Sequence, residues 1–125
     1  MSRARWMMIF GALLVALVLL IVGGGLWLYE EARGPEIADG MQWQRDCCNV
    51  DSPYDAQLRR IFPAGSSEQD LRETLERQGF EFGDGRRAVA RWSDLVCGYF
   101  ANVEWEADEA GRVTAVSGDY GSACL

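Results

Sequence analysis

The chain of 125 residues has no histidine, no lysine, only three prolines, and no two cysteines in C-x-x-C spacing. Each absence removes a chemistry. Without histidine there is no Ser–His or Cys–His nucleophile pair and no imidazole general base. Without lysine there is no Schiff-base catalysis. The four cysteines, Cys47, Cys48, Cys97 and Cys124, lack the paired knuckles of a structural zinc site and the thioredoxin-type redox spacing. Positive charge is also scarce, with 12 arginines against 19 acidic residues and a net charge of −7. Arg59-Arg60 and Arg86-Arg87 are short basic pairs that read as solvated surface. A phosphate-binding face needs a larger basic excess, so nucleic acid is not an expected partner. Neither a cofactor nor a metal site is expected, and the chain does not read as an enzyme.

What is abundant is apolar sequence in one place. The 24 residues from Trp6 to Tyr29 carry no charge and hold 20 of the chain's 61 hydrophobic residues. As a helix they would extend roughly 36 Å, enough to cross a ~30 Å hydrocarbon layer with some tilt. Trp6 at one end and Trp27 with Tyr29 at the other suit the two membrane interfaces. Arg3 and Arg5 precede the run and Glu30 and Glu31 follow it, which places the N-terminus in the cytoplasm and the rest of the chain outside it. A cleaved signal peptide is the competing reading. Against it, the apolar run resumes at Leu26-Trp27-Leu28, beyond the small-residue site at Val22-Gly23-Gly24. No cysteine follows the run before Cys47, so a lipid anchor is not expected. The expected organisation is a membrane anchor over residues 1–30, a linker over 31–44 and an exported domain over 45–125.

Residues 31–125 hold 18 acidic and 10 basic side chains, a net charge of −8. All four cysteines lie in this part, and an even number in a small exported domain points to disulfides. Of the three connectivities, those linking Cys47 and Cys48 to Cys97 and Cys124 close long loops and are slightly favoured. A Cys97–Cys124 bridge, with Cys47 and Cys48 left to each other, remains open.

Local signals give two helices and then strands. Ser52-Pro53-Tyr54-Asp55 is a helix start with serine as N-cap and proline in the first turn. Tyr54, Leu58, Ile61 and Phe62 then form one apolar face. Ser67 with Asp70 caps a second helix whose Leu71 and Leu75 face inward and whose Gly79-Phe80 suits a Schellman ending. Glu73 and Arg77 form an i, i+4 pair on its outer side. After the turn at Gly83-Asp84-Gly85 the period becomes two. Ala88 to Trp92 is one strand and Cys97 to Ala107 another, and Asp108-Glu109-Ala110-Gly111 closes a hairpin that sets Trp105 opposite Ala115 and Ala107 opposite Val113. The expected register leaves Cys97 facing Ala123, one residue from Cys124, a gap that a bulge near Gly118 or Gly121 would close. The fold class is α+β: an N-terminal transmembrane helix, then two short helices packed on an antiparallel sheet of about three strands.

The segment Phe62-Pro63-Ala64-Gly65-Ser66-Ser67 through Leu75 and Gly79, with Trp105-Glu106-Ala107-Asp108 through Val113, resembles the SmpA/OmlA, or BamE-like, superfamily over residues 52–118. That resemblance implies a helix–helix–three-strand unit used to bind other proteins. The chain departs from the family in lacking a lipobox cysteine and in replacing the usual Leu-Gly-x-Pro helix ending with Arg77-Gln78-Gly79-Phe80.

The expected function is that of a non-catalytic, single-pass protein of the inner membrane whose periplasmic domain binds an envelope protein. Phe100, on the wet face of its strand with Asn102 and Glu104, and Trp92 are the candidate interface aromatics. Trp105 is expected beneath the helices, and the Glu104 and Glu106 carboxylates read as a solvent face. The alternatives are a thiol redox or metal-binding protein using Cys47 and Cys48, and a structural subunit of a membrane complex.

Overall fold

The computed structural model describes residues 2–31, 33–41 and 52–125. The chain divides into two compact units, Met1–Arg33 and Gly34–Leu125. The first is a single helix, α1 (Arg3–Glu31). Its uncharged stretch is long and apolar enough to cross a membrane. Trp6 stacks on Phe10 one turn on, with ring centroids 5.4 Å apart.

The second unit is α+β, as the sequence pattern predicts, with α2 (Pro53–Ile61) and α3 (Glu68–Arg77) ahead of an antiparallel sheet. Five strands are present: β1 (Glu81–Phe82), β2 (Arg87–Ser93), β3 (Cys97–Ala107), β4 (Val113–Ser117) and β5 (Tyr120–Cys124). The count exceeds the expected three for two reasons. β1 is too short to show a period, and the last strand is broken at Gly118-Asp119, so that β4 and β5 both pair with one edge of β3. β2 takes the other edge of β3 and carries β1 outside it.

Both helix starts form as their sequences dictate. Ser52 Oγ accepts the Asp55 N–H at 3.1 Å, and Ser67 Oγ accepts that of Asp70 at 3.3 Å. α3 ends in a Schellman motif: Gly79 at φ 83° donates to Glu76 O, and Phe80 N–H reaches Leu75 O at 3.0 Å. The expected Glu73–Arg77 pair does not form, because Glu73 accepts from Gln69 and Arg77 donates to Thr74. Along α2, Tyr54, Leu58 and Phe62 are buried, but Ile61 is exposed. Asp55 also faces inward, only 2% exposed; its Oδ1 accepts the Gly118 N–H at 3.1 Å and its other oxygen pairs with Arg59.

Among the described residues, helices cover one face of the sheet only. Tyr54, Leu58, Leu71 and Leu75 meet Ala88, Ala90, Ala101 and Val103, with Trp105, Val113, Val116 and Tyr120 around them. Three alanines at the centre let the helices sit close. The loop between the helices joins the sheet: Gly65 N–H donates to Val113 O, and Val113 N–H returns to Ser66 O, both at 2.7 Å.

The expected linker, residues 31–44, is a tether only in part. Residues 34–41 belong to the second unit, where Ile37, Ala38 and Met41 are buried. Ile37 is fastened from both helices, its N–H donating to Gln78 Oε1 at 3.0 Å and its carbonyl accepting from Gln57 Nε2 at 2.7 Å. A polar composition hid three apolar side chains in this stretch, and two glutamines distant in sequence complete its backbone hydrogen bonds.

The hairpin register differs by one residue from expectation. Ala107 pairs with Val113 as expected, but Trp105 faces Val116 and Glu106 faces Ala115, so Thr114 is the extra residue of a bulge. That single shift puts Val116 rather than Ala115 in the core and persists along the sheet until Cys97 stands opposite Cys124. The two are disulfide-bonded. The slightly favoured crossed pairings with Cys47 and Cys48 are therefore corrected: the bulge near the turn brings β5 into register with the start of β3. Cys47 and Cys48 themselves lie outside the described residues.

Two consequences for stability follow. A β-carbon at Gly118 would fall well inside contact distance of Asn102 O, Leu58 Cδ1 and Tyr54 Cε1, whereas one at Gly83 meets nothing within 4 Å. Gly118→Ala should lower the urea stability of the full-length protein by about 2 kcal/mol or more, and Gly83→Ala should leave it nearly unchanged. Replacing Cys97 and Cys124 together by alanine releases a loop of sequence separation 27. The expected loss is roughly 3 kcal/mol in the same measurement.

Candidate interaction surface

The two ends of the sheet differ in chemistry. At the end where β2 turns into β3, four aromatic rings gather on the helix side. Trp92 stacks on Tyr99 at 5.6 Å and lies 6.0 Å from Tyr120, which in turn is 6.1 Å from Tyr54. The register dictates this meeting, since Trp92 pairs with Tyr99 and Ala101 with Tyr120. The Gly34 backbone lies on the Trp92 indole so closely that a β-carbon there would overlap the ring. The Tyr54 and Tyr120 hydroxyls are buried and meet no hydrogen-bond partner among the described residues. Burial pushes the Tyr54 phenol well up, with the Asp119 charge adding to it, and raises Tyr120 to about 12.

The turn at this end is Asp94-Leu95-Val96. Asp94 Oδ1 accepts the amides of Val96 at 2.8 Å and Cys97 at 2.7 Å, and Oδ2 accepts the Tyr99 hydroxyl at 2.8 Å. These donors, the Cys97 amide first, hold the Asp94 carboxyl below its ordinary range, and the same bond raises Tyr99. With the carboxylate turned inward to its own turn, the outward residues are apolar: Leu95 is 99% exposed and Val96 57%.

On the sheet's uncovered face, Phe100 lies over Gly121, whose missing β-carbon makes room for the ring. Beside it runs a shallow, mainly apolar groove lined by Arg91, Trp92, Ser93, Gly98, Tyr99, Phe100, Ser122 and Ala123. Of the two candidate aromatics, Phe100 is half-buried on the uncovered face. Trp92 is half-buried and packs against the core on the helix side. The structure therefore does not unite Trp92 and Phe100 on one face, because Phe100 is opposite Arg91 in the register.

The far end is polar. Glu68 Oε1 accepts from Arg86 Nε at 2.9 Å, Trp105 Nε1 at 3.0 Å and Arg72 at 3.4 Å. The Arg72 guanidinium sits over Trp105 and Phe82, 5.0 and 5.5 Å from their centroids. Trp105 is buried beneath α3 as expected. The Arg86 hydrogen bond, followed by that of Trp105, lowers Glu68 to about 2. A carboxylate so occupied does not give up or take a proton near neutral pH, and its work is to tie α3 to the sheet. Glu104 pairs with Arg87 at 2.7 Å on the uncovered face. Among the described residues, no three cysteine or acidic side chains converge as a metal site would require. Trp43, like Cys47 and Cys48, lies outside the described residues.

Sequence reasoning missed the Asp94 turn and the Glu68 knot for different reasons. Asp94, three residues after an arginine and three before a cysteine, shows its role only once the strands on either side are paired. Glu68 meets Arg86 and Trp105 across 18 and 37 residues. No family model, curated protein or solved structure matches this chain.

The Glu68 knot sets a pH dependence. Its folded pKa lies below the ordinary carboxylate value of ~4.3. Its stabilisation is thus complete above that value and is lost as pH falls towards about 2. Glu68→Gln should lower the urea midpoint at pH 7, and the gap from the parent protein should narrow steadily as unfolding is repeated from pH 4.5 downwards.

Proposed function

We propose that this chain is a non-catalytic, single-pass inner-membrane protein, with α1 as anchor and Gly34–Leu125 as a periplasmic module that binds another protein of the bacterial envelope. Its BamE-like character is part of the same reading, supported by two capped helices followed by an antiparallel meander. The arginine bias around the apolar helix supports the orientation, and the disulfide between Cys97 and Cys124 suits an oxidising compartment.

The observation that carries the binding role is the one-sided sheet. Helices cover one face, while the other presents Phe100 on a glycine floor beside an apolar groove with Arg91 at its rim. An aromatic ring held rigidly by its own strand, with an arginine next to it, is the composition of an interface anchor. The acidic domain charge favours a partner with a basic rim around an apolar centre.

Site-specific photocrosslinking in living cells tests this. A photoreactive residue at Arg91 or Ala123 should give a discrete protein adduct, and one at Gln69 on the exposed side of α3 should not. Phe100→Asp should abolish that adduct while leaving the protein folded and membrane-bound, a loss of at least roughly thirtyfold in affinity for an anchor of ordinary strength. Equal adducts from all three positions, or none from the groove, would sink the assignment.

A further inference from the structure

We infer that the partner binds by adding an extended strand, antiparallel, to the outer edge of β5, with an apolar residue facing Gly121 and a basic residue at the Asp119 end. This deepens the binding reading above and rests on it.

The edge is open and shaped for pairing. Leu125 N–H donates to Val96 O and Asn102 N–H to Asp119 O, so positions 119 and 125 turn their backbone groups towards β3. By the alternation of an antiparallel ladder, Gly121 and Ala123 do the same, and Tyr120, Ser122 and Cys124 turn theirs outward. Among the described residues, β5 pairs with β3 alone. The outer edge of β4 differs, because the loop at Gly65 and Ser66 takes both the N–H and the carbonyl of Val113. Sheet edges are ordinarily blunted by charge or proline, and Tyr120–Cys124 has neither. The Cys97–Cys124 bond holds β5 against β3, so an incoming strand meets a fixed template.

The uncovered face beside this edge has room for a side chain. The Phe100 ring reaches from β3 across Gly121, towards the outer side of β5. A strand added about 4.8 Å away places the residue facing Gly121 at a non-hydrogen-bonded position, where opposed side chains come closest. A large apolar side chain there packs on the Phe100 ring. Ala123, small and exposed, admits a second one on the same face.

Size and charge select the occupant. A second copy of β5, paired antiparallel through its own outward groups, brings only Gly121 and Ala123 to these positions and leaves the ring uncovered. It also sets side by side two domains that each carry a net charge of −8 over residues 31–125. Asp119 is exposed at the start of β5, and Arg91 stands two strands further in. A segment with alternate apolar residues and an arginine or lysine at its C-terminal end matches both the face and the charge.

The probe is a dye-labelled peptide, Thr-Val-Thr-Val-Thr-Arg, blocked at both ends, with binding to the full-length protein in detergent read by anisotropy. Its valines face Ala123 and Gly121, and its threonine amides face the edge. N-methylation of those threonines should weaken binding by about tenfold or more, and N-methylation of the valines should not. No binding by the unmethylated peptide, or a loss from threonine methylation no greater than from valine methylation, overturns the inference. In living cells, Ser122→Pro removes an outward N–H that the β3–β5 ladder does not use. It should cut the photocrosslinked adduct from position 91 about tenfold with an unchanged urea midpoint. An undiminished adduct overturns strand addition and leaves the groove as a binding site. No adduct from position 91 even without the proline removes the binding reading and this inference with it. An adduct of two copies of the chain, or one within a single chain, also overturns it. Should the proline lower the urea midpoint, the methylated peptides decide alone.

Discussion

The hydrogen bond from the Gly118 N–H to the buried Asp55 carboxylate is the point on which the second unit's packing depends. It forms because the edge strand breaks at Gly118 and turns one amide away from β3 towards the first turn of α2. The missing side chain at Gly118 lets Tyr54 and Leu58 approach the sheet backbone. With α2 seated there, Phe62 enters the core and Gly65 and Ser66 reach the edge of β4. α3 then starts beside that edge and closes the layer. A buried carboxylate is costly unless its oxygens are used. Here the Gly118 amide and the Arg59 guanidinium use them, so the site fixes one helix position instead of tolerating several.

The sheet converts this one-sided packing into a polarity. Among the described residues its helix face is filled and its other face is bare, one end is rich in aromatic rings, and the other is held by ion pairs around Glu68. The aromatic end also takes the incoming chain at Gly34. The turn after β2 closes the aromatic end, and Phe100 on the neighbouring β3 stands on the opposite face from the helices.

What was legible in the sequence was local. The serine caps, Pro53, the glycine at the end of α3, the alternation from Cys97 to Ala107 and the Asp108–Gly111 turn each act within a few residues, and each formed as its chemistry requires. Phe100 could be placed on the wet face because period two assigns faces without reference to the partner strand. Errors began where a residue answers to something distant. Ile61 fits a helical stripe yet is exposed, while Asp55 faces inward and meets the Gly118 amide 63 residues away. Trp92 and Phe100 are both candidate interface aromatics by sequence, but contacts with Gly34, Tyr99 and Tyr120 hold Trp92 half-buried on the helix side.

The amino-acid order by itself determined the apolar helix at Trp6–Tyr29, the α+β class, the two capped helices and the lack of any imidazole or lysine side chain, because composition and short-range periodicity are properties of the chain alone. Tertiary structure decided the disulfide partner of Cys97, the use of Gly34–Met41 as core, the broken edge strand and the separation of Trp92 from Phe100. All of these turn on register, where one bulged residue at Thr114 moves every later contact, and on hydrogen bonds between segments that only the packed sheet brings together.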